Sequence, residues 1–84
     1  MSTIEKLKQE LKRRPKTFEW REAKRILEHE GYLEDTSGKT SGSRVRFEND
    51  EGLSFVVHKP HSDSKMKSYA IRDLASFLEQ EGKL

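Results

Sequence analysis

Two histidines and a lysine lie within four residues of one another, in the segment His58-Lys59-Pro60-His61. An imidazole titrates near neutral pH and can therefore act as a general base or as a general acid. Cleavage of RNA by its own 2′-hydroxyl needs such a base and such an acid, together with cations that stabilise the charge of the transition state. His58 and His61 are therefore candidate catalytic residues. The alternative is that both belong to an ordinary polar surface.

The rest of the sequence favours neither a metal nor a cofactor. The chain has no cysteine, which excludes thiolate ligands and disulfides. His58 and His61 would supply two zinc ligands, but Asp63 is the only acid nearby and no third partner completes the set. The sequence also lacks a glycine-rich loop between a strand and a helix, the usual phosphate site of a nucleotide cofactor. We therefore expect no metal and no cofactor.

Positive charge is concentrated in two stretches of the chain. Residues 38–46 carry a net charge of +3, and residues 58–72 carry another +3. The whole chain has a net charge of only +2, so the remaining residues carry −4. This asymmetry indicates a basic surface for a polyanion, with acidic helices elsewhere. A chance cluster of solvated charges is the alternative.

Two predicted strands bring basic residues and a histidine to one face of a sheet. In residues 43–47 apolar and basic residues alternate strictly, which predicts a half-buried strand with Arg44 and Arg46 facing outward. A hairpin turn signal follows, and the next strand covers residues 53–58. If its alternate apolar residues face the core, His58 shares the outward face with the two arginines.

Phosphate groups are the ligands that these cations suit best. An arginine keeps its charge in a protein, and its planar fork donates two hydrogen bonds to one phosphate. Two lysines lie at or just before the start of the last predicted helix, whose free N–H groups also attract phosphate. The candidate nucleic-acid-binding residues are Lys39, Arg44, Arg46, Lys59, Lys65 and Lys67. Such a surface suits the A-form RNA backbone and separates RNA from DNA only weakly.

The predicted order of elements is α-α-β-β-β-α. The helices are predicted at residues 4–13 before Pro15, from Thr17 to Gly31, and from a Ser68 cap to Gly82, and the strands at 32–36, 43–47 and 53–58. In the last helix, Tyr69 is among the apolar residues expected to face the core. Both long helices can pack on one face of the sheet. The expected fold class is therefore α+β, a three-stranded antiparallel sheet with helices on one face, as in double-stranded RNA-binding domains.

No apolar stretch in the sequence is longer than three residues, so no segment is expected to span a bilayer. The first six residues also lack the apolar run that is typical of a secretory signal. These features predict a cytoplasmic protein without a membrane partner.

Several motifs, in their order and spacing, resemble those of the HicA toxins of toxin–antitoxin systems. The motifs are Thr17-Phe18-Glu19-Trp20, Gly31-Tyr32, Ser41-Gly42-Ser43-Arg44-Val45-Arg46-Phe47, the turn at 49–52, His58-Lys59-Pro60-His61 and Met66-Lys67-Ser68-Tyr69-Ala70-Ile71-Arg72. The resemblance runs from about Pro15 to about Leu78. At this length we expect a single domain, with a HicA-like core at residues 17–80 and an additional N-terminal helix at residues 1–14.

The resemblance implies a fold similar to double-stranded RNA-binding domains and ribosome-independent cleavage of mRNA. It also implies a HicB-type antitoxin that covers the active face. Many HicA toxins carry Gly-Ser-His on the second strand, and that histidine is catalytic. Here the motif is Gly42-Ser43-Arg44, and an arginine cannot act as a base. Either His58 or His61 then supplies the base, or the protein binds RNA without cutting it. Strand alternation favours His58 as the base.

Three hypotheses remain open. The first is a toxin that cleaves RNA without a metal and uses His58 and His61. The second is a non-catalytic RNA-binding module with the same basic face. The third is a protein-interaction domain whose basic patch meets an acidic partner. The resemblance to HicA toxins places the endoribonuclease first.

Overall fold

The computed structural model describes residues 3–35, 44–60 and 65–84, and these residues form an α+β fold. The elements are α1 Ile4–Lys12, β1 Phe18–Glu19, α2 Trp20–His29, β2 Leu33–Glu34, β3 Arg44–Glu48, β4 Ser54–His58, β5 Lys65–Met66 and α3 Ser68–Gln80. One antiparallel sheet has the strand order β2-β3-β4, and β1 pairs with β5 in a separate two-stranded sheet. The predicted fold class and the three-stranded antiparallel sheet are confirmed. None of the helices described is long and apolar enough to cross a membrane.

The sheet and the helices enclose one cluster of buried apolar side chains. Phe47 of β3 and Val57 of β4 are both buried on the inner face of the sheet. Phe47 lies against Trp20 of α2, with ring centroids 6.1 Å apart. Phe55 stacks on Phe77 of α3, with centroids 4.4 Å apart. These aromatic contacts hold α2 and α3 on the inner face, as the alternation of the strands predicts.

The β3–β4 hairpin turns through Asn49 and Gly52, as the sequence predicts. The Asn49 side-chain oxygen accepts hydrogen bonds from the N–H groups of Glu51 and Leu53, at 3.0 and 2.9 Å. Gly52 has a φ of +82°, a conformation that glycine adopts without steric cost. The turn therefore fixes how the two strands pair.

The second helix begins later than predicted. Phe18 and Glu19 are not helical, because they pair with Met66 and Lys65 in the two-stranded sheet. Phe18 and Met66 are both buried, and burial of these two side chains outweighs the helical tendency of the segment. The helix therefore starts at Trp20 and not at Thr17.

The end of α2 follows the prediction, but the strand after it is shorter than predicted. Gly31 has a φ of +91° and ends the helix. The N–H of Tyr32 donates to the carbonyl of Leu27 at 2.9 Å, so it cannot join a strand ladder. The strand therefore begins at Leu33 and not at Tyr32.

The N-terminal helix packs on the same core as the other helices. The hydroxyl of Thr3 caps α1 by accepting a hydrogen bond from the Lys6 N–H at 3.2 Å. Leu7 and Leu11 are almost completely buried in the common core. The helix ends before Pro15, as predicted.

Two ion pairs join α1 and the segment after it to the other helices. Lys8 pairs with Glu30 at the end of α2. Arg14 donates a hydrogen bond to Glu79 of α3, with Nη2 and Oε1 2.7 Å apart. This hydrogen bond lowers the pKa of the Glu79 carboxyl. The contribution of this ion pair to stability is therefore complete above the ordinary pKa of a glutamate. It is lost only as the pH falls through the lowered pKa of Glu79.

Tyr32 is fully buried, with its ring edge-on to Phe77 at a centroid distance of 5.5 Å. Its hydroxyl has no hydrogen-bond partner among the described residues. Burial raises the pKa of this phenol, and the charges of Glu81 and Glu30 raise it further. The side chain of Asn49 offsets part of the rise, although its position does not give a well-formed hydrogen bond.

Replacing Leu11 by alanine tests whether α1 belongs to the core. We expect Leu11→Ala to lower the free energy of unfolding by about 2–5 kcal/mol, because it leaves a cavity among buried side chains. Leu33→Ala is the matched control, since Leu33 is 61% exposed. Urea denaturation of both variants measures the difference. Equal losses in the two variants would contradict the packing of α1.

Replacing Tyr32 by phenylalanine tests the cost of its buried hydroxyl. We expect the free energy of unfolding to stay unchanged or to rise by about 1 kcal/mol, because the hydroxyl gives up hydration without gaining a partner.

The raised pKa of Tyr32 also predicts a pH dependence. The folded protein binds the phenolic proton more tightly than the unfolded chain, so this contribution is complete below about pH 10 and is lost at higher pH. The free energy of unfolding of Tyr32→Phe should therefore not show this part of the decrease at alkaline pH. Tyr69→Phe, at an exposed tyrosine, should keep it. A Tyr32→Phe variant less stable than wild type by more than about 1 kcal/mol would indicate that the hydroxyl is hydrogen-bonded.

Candidate nucleic-acid interface

The pairing of β3 with β4 places Arg44 directly opposite His58, and Arg46 opposite Val56. The β-carbons of directly opposed residues lie about 4.5–5.5 Å apart in antiparallel sheets, so the guanidinium and the imidazole can reach the same phosphate. All four side chains are exposed, on the sheet face opposite the buried Phe47 and Val57. We call this surface the open face. The prediction that Arg44, Arg46 and His58 share one exposed face is confirmed.

The two arginines of the open face are available to an anion. Arg44 forms no ion pair with any residue that the structure describes. Arg46 lies 4.0 Å from a carboxylate oxygen of Glu48, at the outer limit of an ion pair. Both members of that pair are well exposed, so the interaction contributes little to stability and a phosphate can replace it.

A groove of about 640 Å³ lies beside His58. Four lysines line it, namely Lys16, Lys59, Lys65 and Lys67. We call it the lysine groove. Within the described part of the chain, no aspartate or glutamate lines it, so the described lining is positively charged. The predicted residues Lys59, Lys65 and Lys67 therefore lie together beside His58.

The small β1–β5 sheet assembles this groove. Phe18 pairs with Met66, which brings Lys16, two residues before β1, to the start of α3. Lys59 comes from another direction, directly after β4. Lysines from three separate parts of the chain thus meet at one surface because a two-residue strand closes against β5.

The start of α3 adds to the positive potential of the lysine groove. Lys67 is the N-cap residue, in an extended conformation, and its side chain makes no capping hydrogen bond. The predicted cap, Ser68, is wrong: pairing of β5 keeps the chain extended through Lys67, and Ser68 is the first helical residue. The first turn carries no acid. The N–H groups at this end therefore favour an anion.

A second groove, of about 290 Å³, lies between β4 and α3 and shares His58, Tyr69 and Ala70 with the lysine groove. We call it the tyrosine groove; it is lined by Arg44, Phe55, Val56, Val57, His58, Tyr69, Ala70 and Asp73. Tyr69 is 44% exposed, and its ring meets the imidazole edge-on at a centroid distance of 5.9 Å. The prediction that Tyr69 faces the core is wrong, because Ala70 and Ile71 take the inward positions of this turn.

Two predicted site residues, Lys39 and His61, lie outside the described residues. Lys16, Tyr69 and Asp73 also line the grooves, and they were not among the predicted site residues. No periodic signal marks Lys16, because β1 is too short to show alternation. Tyr69 and Asp73 are four residues apart and therefore share one side of a helix, a spacing that the sequence does display.

The open face combines an imidazole, two guanidinium groups and a lysine-rich groove. The cations can bind the phosphates of a polyanion, and an imidazole can accept or donate a proton. Among the described residues, no group of three or more His, Cys, Asp or Glu side chains could hold a metal ion.

The sequence profile described as the HicA toxin of bacterial toxin–antitoxin systems matches residues 20–82. This stretch begins with the first residue of α2 and ends just after α3, and it includes the whole open face. The chain belongs to the HicA toxin family. Neither the curated proteins nor the solved structures contain a significant match to the chain.

Membership of the HicA family makes this protein a toxin of a toxin–antitoxin system, which pairs with an antitoxin. The matched stretch leaves out α1, β1 and Lys16. One lysine of the groove therefore comes from a segment that precedes the matched stretch.

Removing lysines from the groove should weaken binding to a polyanion. We expect the double variant Lys16→Gln/Lys67→Gln to elute from heparin at lower salt than wild type, because fewer counterions are exchanged on binding. Lys6→Gln/Lys12→Gln is the matched control, since it removes the same charge from the exposed side of α1. Elution of both double variants at the same salt concentration would mean that net charge, and not the groove, determines binding.

Proposed function

We propose that this HicA toxin is a metal-independent endoribonuclease that cleaves mRNA, with His58 as the general base. The observation that supports it best is the direct pairing of Arg44 with His58 on the open face. The pairing puts a proton acceptor and a permanent cation on one exposed rung of the ladder. The lysine groove begins at the same imidazole, so the RNA backbone can continue along a positive surface.

In the proposed reaction His58 removes the proton of a ribose 2′-hydroxyl. The 2′-oxygen then forms a bond to the neighbouring phosphorus, and the bond from phosphorus to the 5′-oxygen of the next nucleotide breaks. The products are a 2′,3′-cyclic phosphate and a free 5′-hydroxyl. A general acid supplies the proton that the leaving 5′-oxygen takes up. His61, three residues along the chain from His58, is our candidate for this acid.

Arg44 has a distinct task in this mechanism. Negative charge grows on the phosphate oxygens as the 2′-oxygen attacks, and a guanidinium can donate two hydrogen bonds to them. Arg44 occupies the position at which many HicA toxins carry their catalytic histidine. We propose that in this protein the catalytic imidazole lies on the neighbouring strand, at the residue that pairs with Arg44. The phosphate would bind at the same pair of residues.

The lysines act on binding and not on the chemical step. Lys59, Lys65 and Lys67 lie in the lysine groove, where they can neutralise phosphates on one side of the cleavage site. Arg46 lies farther along β3 and can contact the backbone on the other side. We include Lys39 among the binding residues on the strength of its position in the basic stretch of the sequence.

The proposed partner is a HicB-type antitoxin that covers the open face and so excludes RNA from His58. A toxin that acts on mRNA in this way works in the cytoplasm. Complex formation should protect the exposed residues Arg44, Val56 and His58 from solvent.

A non-catalytic RNA-binding protein is the second candidate. One observation favours it: arginine and not histidine follows Gly42-Ser43 in the motif of the second predicted strand. Such a protein would bind RNA through the same open face and lysine groove, and binding would weaken steeply with salt. It would produce no cleavage products at any pH.

Replacing His58 by alanine tests the endoribonuclease directly. We expect growth arrest and RNA degradation on expression of wild type, and at least about a hundredfold slower cleavage by His58→Ala, because the general base is lost. His29→Ala is the matched control, since His29 is exposed on α2 and should cleave at the wild-type rate. Cleavage by wild type should also survive EDTA.

A His58→Ala variant that cleaves as fast as His29→Ala would remove His58 from the mechanism, and complete inhibition of wild type by EDTA would exclude a metal-independent reaction. Absence of cleavage by wild type, with RNA binding retained, would favour the second candidate.

Exchanging the side chains of Arg44 and His58 tests whether one imidazole and one guanidinium at this pair of residues are sufficient for cleavage. His58→Arg should be inactive, because it leaves no imidazole at the rung. Adding Arg44→His to it restores one imidazole and one guanidinium in exchanged positions. We therefore expect the double variant to regain a measurable part of the cleavage that His58→Arg loses.

A further inference from the structure

The proposed reaction uses Arg44 and His58 of the tyrosine groove, but it leaves Tyr69 and Asp73 without a role. His58 and Tyr69 line both grooves, so a phosphate held at the imidazole lies next to both. If the RNA backbone continues along the lysine groove, the tyrosine groove is left for the base of the nucleotide at the cleavage site. The surface of this groove therefore decides which base is accepted there.

Tyr69 gives the tyrosine groove an aromatic surface. The residue is 44% exposed, and its ring meets the imidazole of His58 in an edge-to-face arrangement, which leaves room for a base to stack on the ring. Val56, 49% exposed, adds an apolar contact on the side of β4. Stacking on exposed aromatic rings is the usual way in which proteins hold unpaired bases.

Asp73 gives the groove a polar group that only accepts hydrogen bonds. It lies one helical turn after Tyr69 and lines the same groove. Among the described residues it has no ion-pair partner. A carboxylate matches the amino groups of bases, and guanine alone offers it two adjacent N–H donors on its Watson–Crick edge. Uracil presents a single N–H donor there, flanked on both sides by carbonyl oxygens that a carboxylate repels.

We propose that the tyrosine groove is a binding site for one unpaired nucleobase, which stacks on Tyr69 and donates hydrogen bonds to Asp73. This proposal rests on the proposed function, since it places the base next to the phosphate that His58 cleaves. It makes the substrate single-stranded RNA, because a base in an A-form duplex has its faces and its Watson–Crick edge occupied. It also makes guanine the best base at this position and uracil the poorest.

Binding can be measured apart from cleavage with RNA that lacks the attacking group. The probes are 2′-O-methyl oligonucleotides of uridine in which one central nucleotide is guanine, adenine, cytosine or uracil. A duplex of the guanine probe with its complement is the paired form. Affinity for each probe is measured by fluorescence anisotropy with wild type, Tyr69→Leu, Tyr69→Phe and Asp73→Asn. Asp50→Asn, in the exposed hairpin turn at the other end of the ladder, is the matched control.

With wild type we expect the single-stranded guanine probe to bind more tightly than the uracil probe and the duplex. Tyr69→Leu should weaken binding of the guanine probe about tenfold, and Tyr69→Phe should retain most of its affinity, because the ring is kept. Asp73→Asn should reduce the preference for guanine over uracil by about fivefold or more. Asp50→Asn should keep that preference.

The inference is overturned if Tyr69→Leu binds single-stranded probes as tightly as wild type, or if Asp73→Asn keeps the full preference for guanine. Its failure differs from failure of the proposed function. Loss of cleavage in His58→Ala together with unchanged binding by Tyr69→Leu would keep the endoribonuclease and remove the base site. Base-dependent binding without any cleavage by wild type would keep the base site and remove the endoribonuclease.

Discussion

The register of the β3–β4 ladder is the constraint on which both the core and the site depend. Phe47 and Val57 point inward and are buried, while Arg44 and His58 form one rung of the outer face. A slip of one residue would carry every side chain of the slipped strand to the opposite face. It would expose apolar groups and bury charged ones. The burial that stabilises the domain therefore also fixes the distance between guanidinium and imidazole, and the hairpin turn at Asn49 maintains it.

The two-stranded sheet of β1 and β5 provides a second level of organisation. It has only two residues in each strand, yet it determines where α2 begins and how α3 begins. By holding the chain extended through Lys67, it leaves the first turn of α3 without a side-chain cap and directs that turn toward a groove lined by lysines. This small sheet thus brings lysines that are distant in sequence together on one positively charged surface.

The sequence predicts those parts of the site that depend on local periodicity. Alternation in residues 43–47 and 53–58, joined by a turn signal, is sufficient to place Arg44 and His58 on one face. The sequence does not predict contacts made by very short strands, because two residues display no periodicity. The position of Lys16 in the lysine groove therefore could not be predicted. The sequence also leads to a wrong position for Tyr69, because a tyrosine is found both in cores and on solvated surfaces. The packing of the helix on the sheet decides between the two.

The segment from Arg14 to Glu19 contacts both ends of α3. At one end Arg14 binds Glu79 near the C-terminus of the helix, and at the other β1 pairs with the strand that leads into its N-terminus. The helix is thereby held lengthwise by a stretch of chain that also carries Lys16. The N-terminal helix contributes no side chain to either groove, yet it cannot leave the core without pulling on this stretch. How firmly one wall of the lysine groove is held thus depends on the packing of a helix that does not line it.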